Sequence, residues 1–407
     1  MRAALNSRRQ FLRGASVLLA GAALPLRDLA ATVDQPFGNG TRELVVYPQK
    51  RPLMRITTRP PHLETPFSVF NEGPITPNDA FFVRYHLANI PLSVDLNAYR
   101  LRVHGKVGQE LSLSLEDLQR IGDAEELVAV NQCAGNSRGY SMPRVFGAQL
   151  GNGSMGNARW AGLPLRRLLQ KAGIAADATQ VTFNGLDTPV LPATSDFIKS
   201  LAIDDALSSD VLLAWNMNNE PIPMLNGYPL KLIVPGYFGT YWVKHLCDIE
   251  VINTPFAGHD ALFMTTAYRL PDNECGCVPP GTQPANTVPI GRFKVRSFVT
   301  SLTNGSILHR GRTTQIKGIA FDGGYGIKTV QISIDGGVSW RDAILGENLG
   351  KYSFREWRVA LTPTQVGPLE LRVRASNTRN ETQPAEAAWN PAGYARNVIE
   401  SMHLVVV

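Results

Sequence analysis

The chain has 407 residues, 44% of them hydrophobic and 18% charged, which allows two or three domains with a substantial core and excludes a peptide, a linker or a largely disordered chain. Its 40 Lys+Arg against 34 Asp+Glu give a net +6, a balance that invites a nucleic-acid or membrane-surface reading until the positions of those charges are checked. With 36 glycines, 28 prolines and four cysteines, the composition favours many short strands and excludes a disulfide scaffold.

Residues 1–31 read as an export signal. Ser7-Arg8-Arg9-Gln10-Phe11-Leu12-Arg13 precedes an uncharged stretch from Gly14 to Leu26, and Ala30-Ala31 offers small residues for cleavage. The uncharged stretch is too short for a bilayer, which needs about 20 residues. Paired arginines in this context resemble a twin-arginine signal, the class that exports folded proteins. The segment carries five arginines and one aspartate, so the chain beyond it has 35 basic and 33 acidic residues. Most of the basicity therefore belongs to the signal. No basic run interleaved with aromatics follows, so no nucleic-acid groove is expected. No later segment is apolar enough to span a membrane, and the mature protein is expected to be soluble and periplasmic.

From Thr32 to Arg59 the chain is punctuated by proline and arginine and reads as an extended arm with little core of its own. From Pro61 to about Phe256 short apolar runs alternate with helical patches. Leu165–Ala172 has apolar residues at helical spacing, whereas Pro229–Val234 and Tyr241–Val251 read as buried strands. A Pro/Gly-rich join follows, from Cys277 to Pro289. Beyond it, Thr313–Ala320, Thr329–Ile334, Phe354–Leu361 and Leu369–Ala375 read as strands, and Asp335-Gly336-Gly337 as a hairpin turn. The expected fold class is α+β: a mixed body over residues 32–285, then an all-β, immunoglobulin-like sandwich over 286–407. Such a sandwich serves association, which puts the chemistry upstream.

Cys133 ends an apolar run, Val128-Ala129-Val130-Asn131-Gln132, and opens a loop of small and amide residues with Arg138 five positions on. Three readings fit: a buried structural thiol, a nucleophile, or a metal ligand. No His base or second ligand lies close in sequence, so a metal here would be held mostly by something other than protein. Cys275-Gly276-Cys277 does not have zinc-site spacing and reads as a disulfide or as nothing functional. Cys247 lies in a strand-like run and reads as core. No Cys-x-x-Cys-His occurs, so no covalently attached haem is expected.

Five blocks together resemble the sulfite oxidase family of molybdenum enzymes, and within it the bacterial periplasmic sulfite dehydrogenases that lack a haem domain. They are Phe81-Phe82-Val83-Arg84-Tyr85-His86; Asn131 to Arg138; Ala158-Arg159-Trp160-Ala161-Gly162; Asn226-Gly227-Tyr228-Pro229-Leu230-Lys231, continuing through Val234-Pro235-Gly236 to Trp242-Val243-Lys244; and Ile332-Ser333-Ile334-Asp335-Gly336-Gly337-Val338-Ser339-Trp340. The resemblance implies a molybdenum–molybdopterin cofactor, with Cys133 as the protein's thiolate ligand to the metal. It implies that Arg84 and Arg138 bind the sulfite anion, for which a planar fork of donors suits oxyanion geometry. Tyr268 falls at the family's active-site tyrosine, His86 beside Arg84, and Arg396 is a candidate third pocket arginine. For the cofactor, the resemblance implies contacts from Phe82, Val83, Arg84, Tyr85, His86, Cys133, Asp187, Asn226, Lys231, Trp242, Val243 and Lys244, with the two lysines at its charged end.

Two departures bear on the pocket: Asn226 stands where animal members carry histidine, and Leu150 lies near their pocket tryptophan. The implied reaction is oxidation of sulfite to sulfate, with electrons passed singly to a separate c-type cytochrome. The rivals are a reductase of the same superfamily, acting on sulfoxide or nitrate, and a metal-free binding subunit. The terminal domain resembles the family's dimerisation domain, which leaves a homodimer and a cytochrome-bound heterodimer both open.

Overall fold

The computed structural model describes residues 32–33 and 40–407; the export signal expected over 1–31 lies outside them. Six sheets and a few short helices make up the described chain. The longest helix, Leu165–Ala172, buries Leu165, Leu168, Leu169 and Ala172 and stops at Gly173, whose φ of 70° terminates it. The remaining α-helices are of four or five residues, so the body is less helical than an α+β reading suggests. Its apolar runs are too short and too broken by glycine and proline to propagate helix. No helix among the described residues is long and apolar enough to cross a membrane.

The N-terminal stretch departs from the expected arm. Thr32–Val33, Arg42–Val45, Leu53–Thr57, His62–Glu64 and Val83–Arg84 form one sheet in sequential order, and Leu53, Leu63, Val83, Tyr85 and Leu225 make a small core against it. This sheet sets the site's first arginine, because His62 pairs with Arg84 and Leu63 with Val83.

Two further sheets form the body. One contains Lys199–Ala202, Gln180–Gly185, Leu246–Ile252, Leu101–Gly105 and Leu111–Leu113, antiparallel except where Leu246–Ile252 runs parallel to Leu101–Gly105. The other contains Glu220–Pro221, Leu212–Met217, Met155–Pro164 and Glu125–Gln132, with Lys231–Ile233 also paired to Leu212–Met217. Glu125–Gln132 is buried from Val128 to Gln132 and delivers Cys133 at its end. The run Tyr241–Val251 is strand only from Leu246; Gly239–Tyr241 is a 3-10 turn, and His245 has φ 51°.

In the terminal part, Arg296–Val299, Thr314–Phe321, Arg355–Leu361 and Ile344–Leu345 form one sheet, and Ile307–Leu308, Glu400–Val406, Gly367–Asn377, Ile327–Ser333 and Arg341–Asp342 another. Residues of both sheets meet in one apolar cluster around Ile316, Val330, Trp357, Leu371 and Leu404. The hairpin around Asp335 is present: Ile332 pairs with Arg341, and Asp335 accepts from the Ser339 backbone at 2.9 Å. The terminal sheets also join the main core, with Phe354 against Phe70 at 5.9 Å, Phe298 against Phe67 at 5.5 Å, and Val130 N donating to Tyr352 O at 2.9 Å. Cys275 and Cys277 form a disulfide.

Candidate active site

Cys133 is 9% exposed. Its backbone N donates to Ser154 O, and its carbonyl accepts from Asn136 N. The loop then turns tightly: Ser137 has φ 72°, and Arg138 N returns to Gly135 O. Arg138 folds back so closely that a Cβ on Gly135 would lie 2.7 Å from Arg138 Nη2, so only glycine admits this placement.

Cys133, Arg84 and Tyr268 stand between two adjoining clefts. One, of about 510 Å³, is lined by Phe82, His86, Asn131, Asn226, Lys231, Thr240, Trp242 and Lys244 as well as those three. The other, of about 930 Å³, is lined also by Arg138, His62, Phe146, Leu150 and Tyr394. Backbone alternation sorts the Phe81–His86 block. Phe82, Arg84 and His86 face the first cleft, while Val83 and Tyr85 turn into the small N-terminal core.

The electrostatics are cationic. Among the described residues the Arg84 guanidinium makes no hydrogen bond or ion pair; Arg138 donates from Nε to Ala392 O at 2.8 Å and from Nη1 to Ala148 O at 3.3 Å, with Tyr394's ring 5.1 Å away. Lys231, 3% exposed, has its ammonium over the Trp160 and Trp242 faces at 4.8 and 5.8 Å, and burial, then Lys244 and Lys50, drive its pKa well down. Lys244 donates to Arg84 O at 2.7 Å and lies 4.3 Å from the Tyr85 ring; burial, opposed by Asp187, lowers it to about 8. His62 is held well below its ordinary range by burial and then by Arg84 and Arg138. It hydrogen-bonds Ser154 Oγ at 2.9 Å, and Ser154 Oγ donates on to the buried Glu64 at 2.7 Å.

Tyr268 takes φ 58°, stacks on Tyr394 at 5.3 Å, and hydrogen-bonds His86 Nε2. His86 stacks on Phe197 at 4.0 Å, and burial, then Arg84 and Lys244, push its pKa well down, leaving a neutral imidazole. Asn226 spends its amide internally: Lys50 Nζ donates to Oδ1 at 2.5 Å and Nδ2 donates to Phe82 O at 3.0 Å. Asp187 and Val243 are buried outside the lining of the first cleft.

Arg396 does not join this group. It lines a neighbouring pocket with Ser141 and Trp389, its guanidinium 5.6 Å from the Tyr140 ring; the tight turn at Gly393 and Ala395, φ 59° and 58°, presents Tyr394 to the cleft instead. Residues that sequence reasoning passed over also belong here. His62, Phe197 and Tyr394 line the clefts, and Lys199, 1% exposed, donates to Phe263 O at 2.5 Å with Tyr268's ring 5.4 Å away. Each comes from a separate segment, and none has a motif of its own.

A family model for the oxidoreductase molybdopterin binding domain matches residues 87–260, and one for the Mo-co oxidoreductase dimerisation domain matches residues 287–406. Mouse mitochondrial sulfite oxidase is 33% identical over 378 residues, covering 88% of this chain and 67% of the mouse enzyme. This chain belongs to the sulfite oxidase family. Chicken sulfite oxidase is 33% identical, over 85% of this chain and 76% of that enzyme. The sulfane dehydrogenase SoxCD from Paracoccus pantotrophus superposes with a TM-score of 0.72 at 25% identity, covering 89% of this chain and 87% of that one.

As a sulfite oxidase-type molybdopterin oxidoreductase, the chain calls for a molybdenum–molybdopterin cofactor, and the first cleft fits it. Asn131 Oδ1 and Thr240 Oγ1 are buried there without a hydrogen-bond partner, and the Lys231 ammonium has no anion; these are groups a ring of donors with an anionic end would satisfy. Among the described residues no three His, Cys, Asp or Glu gather to hold a metal.

Proposed function

We propose that this chain is a periplasmic sulfite dehydrogenase that oxidises sulfite to sulfate and passes electrons singly to a separate c-type cytochrome. The observation that carries the reading is Cys133 on the wall between a cleft with an unpaired buried lysine and a cleft with Arg84 and Arg138. Cys133 Sγ would hold the cofactor's metal, and the cofactor would supply oxygen-atom transfer and two-electron chemistry.

The side chains do the rest. Arg84 and Arg138 draw the anion to the metal side of Cys133 and hold its oxygens. Neutral His62 and His86 add no competing positive charge and leave the two arginines to fix the anion's place. Tyr268 offers a hydroxyl to a substrate oxygen, its aim set by His86 and by Tyr394. Lys231 and Lys244 supply point charges for the pterin phosphate, and Asn131 and Thr240 face the pterin ring. Lys50, through Asn226, keeps Phe82 in register behind it. The immunoglobulin-like terminal domain is read as the homodimerisation surface, and residues 1–31 as the twin-arginine address.

The deciding experiment is Cys133→Ser on cofactor-supplied protein. Molybdenum near one per chain in the parent, with sulfite-dependent cytochrome c reduction lost in the variant and its thermal unfolding retained, is the expected result. Substantial residual turnover in the variant would refute the ligand assignment.

A further inference from the structure

Resting on that reading, we infer that the Arg84–Arg138 cleft also oxidises organic sulfinates, R–SO₂⁻, to sulfonates. Sulfite is a compact oxyanion, yet the cleft above Cys133 runs on past the two arginines to Phe146, Leu150 and Pro391. The arginines in its lining are Arg84 and Arg138. Arg84 is unpaired, Arg138 has spent Nε and Nη1 on backbone carbonyls, and Arg396 faces Tyr140 in a different pocket.

The lining around Arg138 is apolar: Ala148, Leu150, Pro391, Ala392 and the Tyr394 ring, with Phe146 also in the lining. Phe146 is 96% exposed, in a cleft wall where burial of a phenyl ring against a ligand is favourable. The unpaired Arg84 fork with the remaining Nη2 donor of Arg138 suits a singly charged –SO₂⁻ head, and the apolar lining beside them suits a substituent that sulfite does not have. A sulfinate sulfur carries the same lone pair as sulfite. In the reaction one S–O bond forms with oxygen that derives from water, and the C–S bond stays intact. Two protons are released, and two electrons pass to a one-electron oxidant such as ferricyanide or the cytochrome.

The test uses the molybdenum-loaded full chain with ferricyanide and three substrates: sulfite, methanesulfinate and benzenesulfinate. Benzenesulfonate binding by calorimetry gives a readout independent of turnover. The expected result is oxidation of both sulfinates. Phe146→Ser, at an exposed position that does not endanger folding, should lower the benzenesulfinate-to-sulfite ratio of kcat/KM by about fivefold and weaken benzenesulfonate binding by a similar factor. Sulfite turnover with no sulfinate oxidation overturns the inference and leaves the sulfite reading intact, as does an unchanged ratio in Phe146→Ser. Failure with sulfite as well overturns both.

Discussion

Replacing Lys231 by methionine separates cofactor binding from folding in a way the structure makes quantitative. The side chain is 3% exposed on the wall of the first cleft, its ammonium lacks any hydrogen-bond acceptor among the described residues, and the faces of Trp160 and Trp242 lie beside it. Burying an ammonium costs several kcal/mol, of which two aromatic faces return about 1–3 kcal/mol. The cofactor-free protein therefore carries a net penalty that methionine, close in length and apolar, removes. A gain of about 1–3 kcal/mol is expected, a rise of roughly 2–6 °C in the melting temperature of cofactor-free protein. Since burial lowers the lysine's pKa below its ordinary 10.5, the unfolded chain binds more protons than the native one as pH approaches that value. Parent stability thus rises with pH, and the gap to the variant narrows toward the ordinary lysine value of 10.5. The same change leaves the pterin phosphate without its point charge, so molybdenum content after loading should collapse. Differential scanning calorimetry of the cofactor-free proteins and metal analysis of the loaded ones check both halves. A less stable cofactor-free variant, or one that keeps its molybdenum, would show that Lys231 is a structural cation and sink the argument.

Other residues give further expectations. Burial raises Glu64 from 4.5 to about 7 against the opposing bonds from Ser154 and Gly151; the native state then holds a proton the unfolded chain releases. Stability should fall as pH rises from about 4.5 to 7, by on the order of 3 kcal/mol, and Glu64→Gln should flatten that slope in urea titrations; equal slopes would discount the carboxyl. Gly156→Ala places a Cβ 2.5 Å from the ring of Phe81, which is itself wedged against Trp160. A loss of about 1–3 kcal/mol or more is expected in chemical unfolding, and an unaffected midpoint would contradict the packing described. Tyr268→Phe removes the hydroxyl that meets His86, and kcat/KM for sulfite should drop about a hundredfold with molybdenum content unchanged; full activity would exclude Tyr268 from substrate contact.

The chain order of the site was legible because its motifs are local. Cys133 and Arg138 share one loop, and Arg84 and His86 share one strand end whose alternation is readable from sequence. Leu165–Ala172 was legible because its apolar spacing has a single period and a glycine stop. What was hidden depends on pairing between distant segments. Leu53–Thr57 and His62–Glu64 are short and interrupted by prolines, and their apolar residues become core only when Val83 and Leu225 arrive. Trp242 and Val243 belong to an apolar run that resembles strand, yet the chain there bends through His245 so that Trp242 and Lys244 face the cleft. The terminal arginine was misplaced for a related reason: the turn at Gly393 to Ala395 decides whether residue 394 or 396 faces the site, and here it presents the tyrosine rather than the guanidinium two residues on.

The loop around Ala392 and Tyr394 reaches the site from the terminal domain, where Ala395 N donates to Ala134 O at 3.0 Å and Ala392 O receives the Arg138 guanidinium. On the proposed function, substrate recognition would draw on both matched regions, 87–260 and 287–406. The catalytic body expressed alone would present a cleft missing one side, with Arg138 no longer tethered there. A terminal region taken from a relative would therefore bring its own side of this cleft, and with it a different set of side chains facing Arg84 and Arg138.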